Sequence, residues 1–93
     1  MKIAMLGLGK MGGNMAARLI RNGVSVVGYD NNQSVVKELV NTENLIGATS
    51  IEDTLSKLDR QKIIWMMLPA GEITENQIKD LIPQLSPGDI IID

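Results

Sequence analysis

The sequence predicts an α/β fold, a doubly wound parallel sheet with helices on both faces. Three observations carry this reading. Short apolar, β-branched runs alternate with stretches of helical spacing along all 93 residues. The runs Lys2–Leu6 and Lys62–Leu68 are continuously apolar rather than alternating, as strands covered on both faces are. The first run ends in a glycine-rich turn that opens a helix. A β-α-β-α-β-α-β-α-β order of this kind demands right-handed crossovers and a parallel sheet; the expected strand order is 3-2-1-4-5.

Taken in order, Lys2–Leu6 is the first strand, bounded by Gly7. Helical spacing follows over Lys10–Asn22, with Met11, Met15 and Leu19 recurring every four residues and Ile20 widening the stripe. Met11 and Met15 are read as helix–sheet packing. Gly23 stands at the C′ position, and Arg18 and Arg21 suit the dipole of the last turn. Val24–Tyr29 is the second strand. Asn31, Asn32 or Ser34 caps a helix running to Asn41, with Val35, Val36, Leu39 and Val40 as its apolar face. Leu45–Thr49 is a short third strand, and Ser50 opens a short helix on Ile51, Leu55 and Leu58. Lys62–Leu68 is a central strand with Trp65 in the core, broken by Pro69-Ala70-Gly71. Thr74-Glu75-Asn76-Gln77 is a capping-box pattern for a helix on Ile78, Leu81, Ile82 and Leu85, which Pro83 ends or distorts. Ser86-Pro87-Gly88 turns the chain into a last strand, Asp89–Asp93. That apolar strand has no covering helix after it, so the sheet is expected to be truncated after its fifth strand.

Composition narrows the function. Eleven acidic against nine basic residues give a net charge of −2, against a nucleic-acid binder held by phosphate contacts. Cysteine and histidine are both absent. Disulfides, Cys- or His-based metal sites and His-based acid–base chemistry are therefore excluded from these residues, and no metal is expected. No apolar run approaches the ~18–20 residues that span a bilayer, and the five-residue apolar start is too short for a signal peptide. The expectation is a cytoplasmic protein without a membrane partner. Aromatic residues are limited to Tyr29 and Trp65, so the core is aliphatic.

Gly7-Leu8-Gly9-Lys10-Met11-Gly12 matches G-x-G-x-x-G, in the strand–turn–helix setting that gives the pattern its meaning. Gly7 permits the tight turn, Gly9 lets backbone N–H groups approach a pyrophosphate, and Gly12 lets helix and strand pack closely. The phosphates then sit on the helix N-terminus. Lys10 either faces them or is solvated. Asp30 ends the second strand 18 positions after Gly12, where an acidic residue accepts the adenosine ribose hydroxyls and repels a 2′-phosphate. Asn31 and Asn32 stand where an arginine would serve NADP, so the expected cofactor is NAD. Asn31 either reaches the ribose edge or caps the next helix. Leu68, Pro69 and Ala70 close the central strand beside the crevice at the topological switch point, where the nicotinamide half lies.

Together the segments GLGKMGGNMA (7–16), GYD (28–30), WMMLPAGE (65–72) and GDIIID (88–93) resemble the β-hydroxyacid dehydrogenase superfamily. Within it they are most similar to the shorter, NAD-preferring 6-phosphogluconate dehydrogenases (decarboxylating). The resemblance covers essentially the whole chain. It implies a Rossmann-type fold and an incomplete N-terminal NAD-binding domain at 1–93, with an all-helical catalytic domain outside this chain. It maps cofactor contacts onto Gly7, Leu8, Gly9, Lys10, Met11 and Gly12, onto Asp30, Asn31 and Asn32, and onto Leu68, Pro69 and Ala70. It implies a sugar-phosphate substrate, no metal, a homo-oligomeric full-length protein, and oxidation of 6-phosphogluconate with loss of CO₂. The catalytic lysine and its partner acid map beyond Asp93. Of the six lysines here, only Lys10 is placed near the crevice. Two alternatives stay open: a 3-hydroxyisobutyrate-type dehydrogenase, and a non-catalytic NAD-sensing domain of the potassium-transport regulator kind, against which the Pro69-Ala70-Gly71 turn speaks.

Overall fold

The computed structural model describes residues 1–59, 62–67, 79 and 82–92. Among them, β1 (Lys2–Leu6), β2 (Ser25–Tyr29), β3 (Ile46–Gly47), β4 (Ile63–Met66) and β5 (Ile90–Ile92) form one sheet. Its order is β3-β2-β1-β4-β5 and every pairing is parallel, which is the expected doubly wound arrangement. Leu6 pairs with both Tyr29 and Met66, so β1, β2 and β4 release the chain at one level. The strand order reverses between β1 and β4, and that level is the crevice edge of the sheet.

Helices α1 (Lys10–Arg21), α2 (Gln33–Glu43) and α3 (Ile51–Ser56) connect the strands. The two-residue period of β1 feeds two cores. Ala4 and Leu6 join Ile64, Met66 and Leu55 of α3 on one face. Met5 joins Leu8, Ala16, Val26, Val36 and Leu45 on the face under α1 and α2, with Trp65 packed at its border. Met5 is wholly buried, and truncating such a side chain to alanine costs about 2–5 kcal/mol.

The ends of the elements follow from local chemistry. α1 closes in a Schellman pattern, with Gly23 N–H donating to Ile20 O and Val24 N–H to Leu19 O, both at 3.0 Å. α2 is capped by Asn32, whose side chain accepts Ser34 N–H at 3.0 Å. It runs two residues past the expected Asn41, because the left-handed residue that ends it is Asn44, at φ 62°. Arg21 clips the far ends of α1 and α2 together, donating Nε to Glu43 Oε1 at 2.9 Å and Nη2 to Oε2 at 2.6 Å. α3 starts on Ser50, whose Oγ accepts Asp53 N–H at 2.9 Å.

The third strand is shorter than expected. Ile46 and Gly47 are the residues in register with β2; Leu45 before them is buried in the core, and the ladder ends on Ala48 N–H, which donates to Gly28 O at 3.0 Å. The capping box at 74–77 and the helix expected from it lie outside the described residues, apart from Lys79, which is helical. Ile82–Gln84 forms a 3₁₀ turn about Pro83, which has no N–H to continue an α-helix. Asp89 ties the start of β4 to the turn before β5: its Oδ1 accepts Lys62 N–H at 2.7 Å and its Oδ2 accepts Ser86 N–H at 2.8 Å.

Candidate functional site

The turn from β1 into α1 lies on the crevice edge, and its three glycines have three different causes. Gly7 has φ 95°, a conformation that L side chains rarely adopt. Its N–H donates to Tyr29 O at 2.8 Å, tying the turn to β2. Gly12 is demanded by contact: a Cβ there would overlap the Gly7 carbonyl oxygen and stand 3.2 Å from Met67 Cβ. Gly9 has neither reason. Its φ of −64° suits any residue, and among the described residues a Cβ there would meet nothing within 4 Å.

Gly9 is also the N-cap of α1. No side chain caps it, no acidic residue stands in the first turn, and Lys10 and Met11 are exposed beside it. The first N–H groups of a helix have no partner within it, and the dipole makes that end attractive to anions. A long helix beginning on an open glycine, with a cation next to it, has the donor set a pyrophosphate requires.

Met11 corrects the expectation that it packs with Met15. Met15 borders the core, but Met11 is 68% exposed. It sits in the first turn, past the end of the strand it would have to cover, so the four-residue spacing carries it beyond the sheet.

Asp30 stands just past β2. Its Oδ2 accepts Leu8 N–H at 2.7 Å and its Oδ1 accepts Asn32 N–H at 2.9 Å. Asn31 Oδ1 accepts the Tyr29 hydroxyl at 2.9 Å. Asn32 is occupied as the α2 cap, and Asn31 is exposed beside Asp30. Gln33 Nε2 braces the corner, donating to Asp30 O at 3.1 Å and Ala48 O at 3.3 Å.

Met67 N–H donates to Leu6 O at 2.7 Å, which brings the end of β4 against the glycine turn. Leu68, Pro69 and Ala70 lie outside the described residues. Lys79 is exposed and helical. It lines an open recess of about 640 Å³ with Tyr29, Ser50, Ile51, Glu52, Pro83 and Gln84. Sequence reading missed it because β2, α3 and the 3₁₀ turn meet there from three separate parts of the chain. A second open groove, of about 720 Å³, starts at Leu8, Gly9 and Lys10 and follows α1 and α2 out to Arg21 and Glu43. Among the described residues no three His, Cys, Asp or Glu side chains gather to hold a metal ion, and no helix is long and apolar enough to cross a membrane.

A parallel sheet with this order and a glycine turn feeding an open helix N-terminus at its switch point define a dinucleotide-binding domain of the Rossmann type. Residues 2–93 match the model of the NAD binding domain of 6-phosphogluconate dehydrogenase, and the chain belongs to that family. It is 41% identical over 95 residues to the decarboxylating 6-phosphogluconate dehydrogenase of Haemophilus ducreyi, covering 98% of this chain and 20% of that protein. It is 39% identical over 95 residues to decarboxylating 6-phosphogluconate dehydrogenase 2 of Saccharomyces cerevisiae, covering 98% of this chain and 19% of that protein. Among solved structures, the 3-hydroxyisobutyrate dehydrogenase of Mycobacterium tuberculosis superposes with a TM-score of 0.85 at 28% identity, over 99% of this chain and 30% of that one. The chain thus spans 19–30% of the length of these relatives.

Proposed function

We propose that this chain is the cofactor-binding part of an NAD-dependent dehydrogenase that oxidises and decarboxylates 6-phosphogluconate to ribulose 5-phosphate. The observation that carries the cofactor half is Gly9. Neither its backbone angles nor any neighbour among the described residues calls for glycine, and a ligand passing against its Cα would. In this reading the backbone around Gly7, Leu8, Gly9 and Gly12 forms the cradle. The pyrophosphate rests on the N-terminus of α1, with Lys10 neutralising its charge. Asp30 receives the adenosine ribose hydroxyls with Asn31 at their edge, and Asn32 contributes by capping α2. Leu68, Pro69 and Ala70 border the nicotinamide, and Met11 presents its exposed thioether beside the loop.

NAD, when bound, supplies the acceptor for the hydride leaving C3 of the substrate. The hydroxyl proton goes to a base, and the resulting β-keto acid loses CO₂. This chain holds the cofactor, while the base and the acid that completes the reaction belong to the remaining length that the relatives possess. The substrate assignment is supported by the names of the curated relatives. The Mycobacterium structure supports a second reading, a 3-hydroxyisobutyrate-type dehydrogenase on the same cofactor site. A non-catalytic sensor has less support, because the family match is to a dehydrogenase domain.

Calorimetric titration of NAD into the unmutated chain and into Gly9→Val tests the site. Binding should be lost in the variant while its circular dichroism is unchanged, and equal affinities would reject the loop assignment. On the full-length enzyme this reading requires, NADH absorbance should rise with 6-phosphogluconate. A rise with 3-hydroxyisobutyrate alone would move the substrate to the second reading and leave the cofactor site standing.

A further inference from the structure

Asp30 is more deeply engaged than an acceptor of ribose hydroxyls needs to be. It takes the Leu8 N–H at 2.7 Å from 22 positions away in sequence. Leu8 is the residue between Gly7 and Gly9, and it is only 2% exposed. Its side chain lies in a slot that exists because position 28 is glycine: a Cβ on Gly28 would stand 3.0 Å from Leu8 Cδ1 and 2.8 Å from Leu45 Cδ1. The middle of the glycine loop is therefore held twice, by its side chain in the core and by its N–H on the carboxylate. The Gly7 N–H on Tyr29 O fixes the residue before it.

We propose that Asp30 is a positioning residue for the glycine loop. By holding the Leu8 N–H, its carboxylate sets the loop backbone in its nucleotide-receiving shape before any nucleotide arrives, independently of contact with the ribose. The proposal rests on the cofactor reading above and adds a second duty to the same residue. The two duties are compatible. An ionised carboxylate offers about four lone-pair sites, and Leu8 N–H and Asn32 N–H take one on each oxygen. One site per oxygen remains for a ribose hydroxyl. The Leu8 N–H, being committed to Asp30, is not a phosphate donor, so the pyrophosphate falls to the N–H groups that follow it at the start of α1. A hydrogen bond to a charged acceptor is among the stronger ones. Its loss leaves the middle of the loop held by the buried Leu8 side chain, with its backbone no longer fixed.

The test separates loop from ribose with two ligands, ADP and 2′,3′-dideoxy-ADP, which share the diphosphate and differ in the hydroxyls. Each is titrated calorimetrically into the unmutated chain, Asp30→Asn and Asp30→Ala. Positioning predicts that Asp30→Ala weakens dideoxy-ADP about tenfold, the order of one lost hydrogen bond to a charged group. Asp30→Asn, which keeps an oxygen for Leu8 N–H, should recover most of that loss while the preference for NAD over NADP stays reduced. In the ligand-free unmutated chain, hydrogen exchange at the Leu8 amide should be slowed. It should become fast in Asp30→Ala while the Met5 and Val27 amides remain protected. Dideoxy-ADP affinity untouched by Asp30→Ala would overturn the proposal and leave Asp30 as a ribose contact only. A freely exchanging Leu8 amide in the unmutated chain would overturn it too, and that measurement decides the matter even if Asp30→Ala does not fold. Failure of ADP itself to bind the unmutated chain would instead overturn the cofactor reading.

Discussion

Replacing Gly12 by alanine separates what the glycine turn does for the fold from what it does for a nucleotide. The added Cβ would overlap the Gly7 carbonyl oxygen, with Gly7 C at 3.1 Å and Met67 Cβ at 3.2 Å. None of these atoms can swing aside. Gly7 is held at φ 95° with its N–H on β2, and a Cβ moves only with its backbone. The helix must lift, loosening Ala16 and Met15 from the core they border. Overpacking of this kind costs about 1–3 kcal/mol and occasionally more, and the backbone contact places Gly12 at the upper end. Alanine returns about 1 kcal/mol in helix propensity, which leaves a net loss of about 2 kcal/mol. With a urea slope of about 1 kcal/mol per molar, the unfolding midpoint should fall by about 2 M. Gly9→Ala is the control. Its Cβ meets nothing among the described residues, and alanine is poorer than glycine at an N-cap by only about 1 kcal/mol. Its midpoint should move by half as much or less while NAD affinity drops. A Gly12→Ala chain with an unshifted midpoint, or a Gly9→Ala chain that loses stability but keeps full NAD affinity, would refute this division of labour.

Other outcomes follow from the same geometry. NAD should bind more tightly than NADP, and Asp30→Ala should weaken NAD and narrow the difference; equal affinities in the unmutated chain would count against a carboxylate at the ribose. Acid should destabilise the fold through Asp89 and Asp53. The Asp89 carboxyl is held below its ordinary range by the Ser86 and then the Lys62 backbone N–H, and Asp53 by the Thr49 N–H and then the Lys57 ammonium. A depressed carboxyl contributes stability that is complete above its unfolded value, about 3.9, and is lost as pH falls through the lower folded value. Urea midpoints should therefore hold near neutrality and decline below about pH 4, more shallowly in Asp89→Asn. The 93-residue chain alone should show no NADH production with 6-phosphogluconate, since it has no histidine or cysteine, and Lys10 stands by the glycine loop and Lys79 by the recess beside Tyr29. A measurable rate would show that the chemistry lies within these residues.

Much of the fold was legible because period and punctuation agree. Continuous runs gave β1 and β4, the four-residue stripe gave α1, and the glycine pattern placed the turn between them on the crevice edge. What escaped the sequence depends on distance in three dimensions. No local rule sends the Asp30 carboxylate to the Leu8 N–H, because that bond exists only once β1 and β2 lie side by side. Met11 misled because spacing reports which face of a helix a residue is on, and not whether the sheet extends far enough to cover it. Lys79 was missed for the same reason as the recess it lines: its walls come from three connections. The third strand was overestimated because a short, largely apolar run after a helix reads as pairing residues throughout, whereas Leu45 serves the core on Gly28.

The brevity of β3 has a consequence for association in concentrated solution. It forms an edge of the sheet, the place where a foreign strand would add by pairing with unmet backbone groups. Only Ile46 and Gly47 form that strand, and the Lys57 ammonium already donates to the Gly47 carbonyl at 2.8 Å while also holding Asp53 at 2.9 Å. An intruding strand would have to evict a charge to gain one hydrogen bond. Acetylating Lys57 would remove that guard without touching the glycine loop, so sedimentation of the acetylated chain should show self-association on this edge before any loss of nucleotide binding.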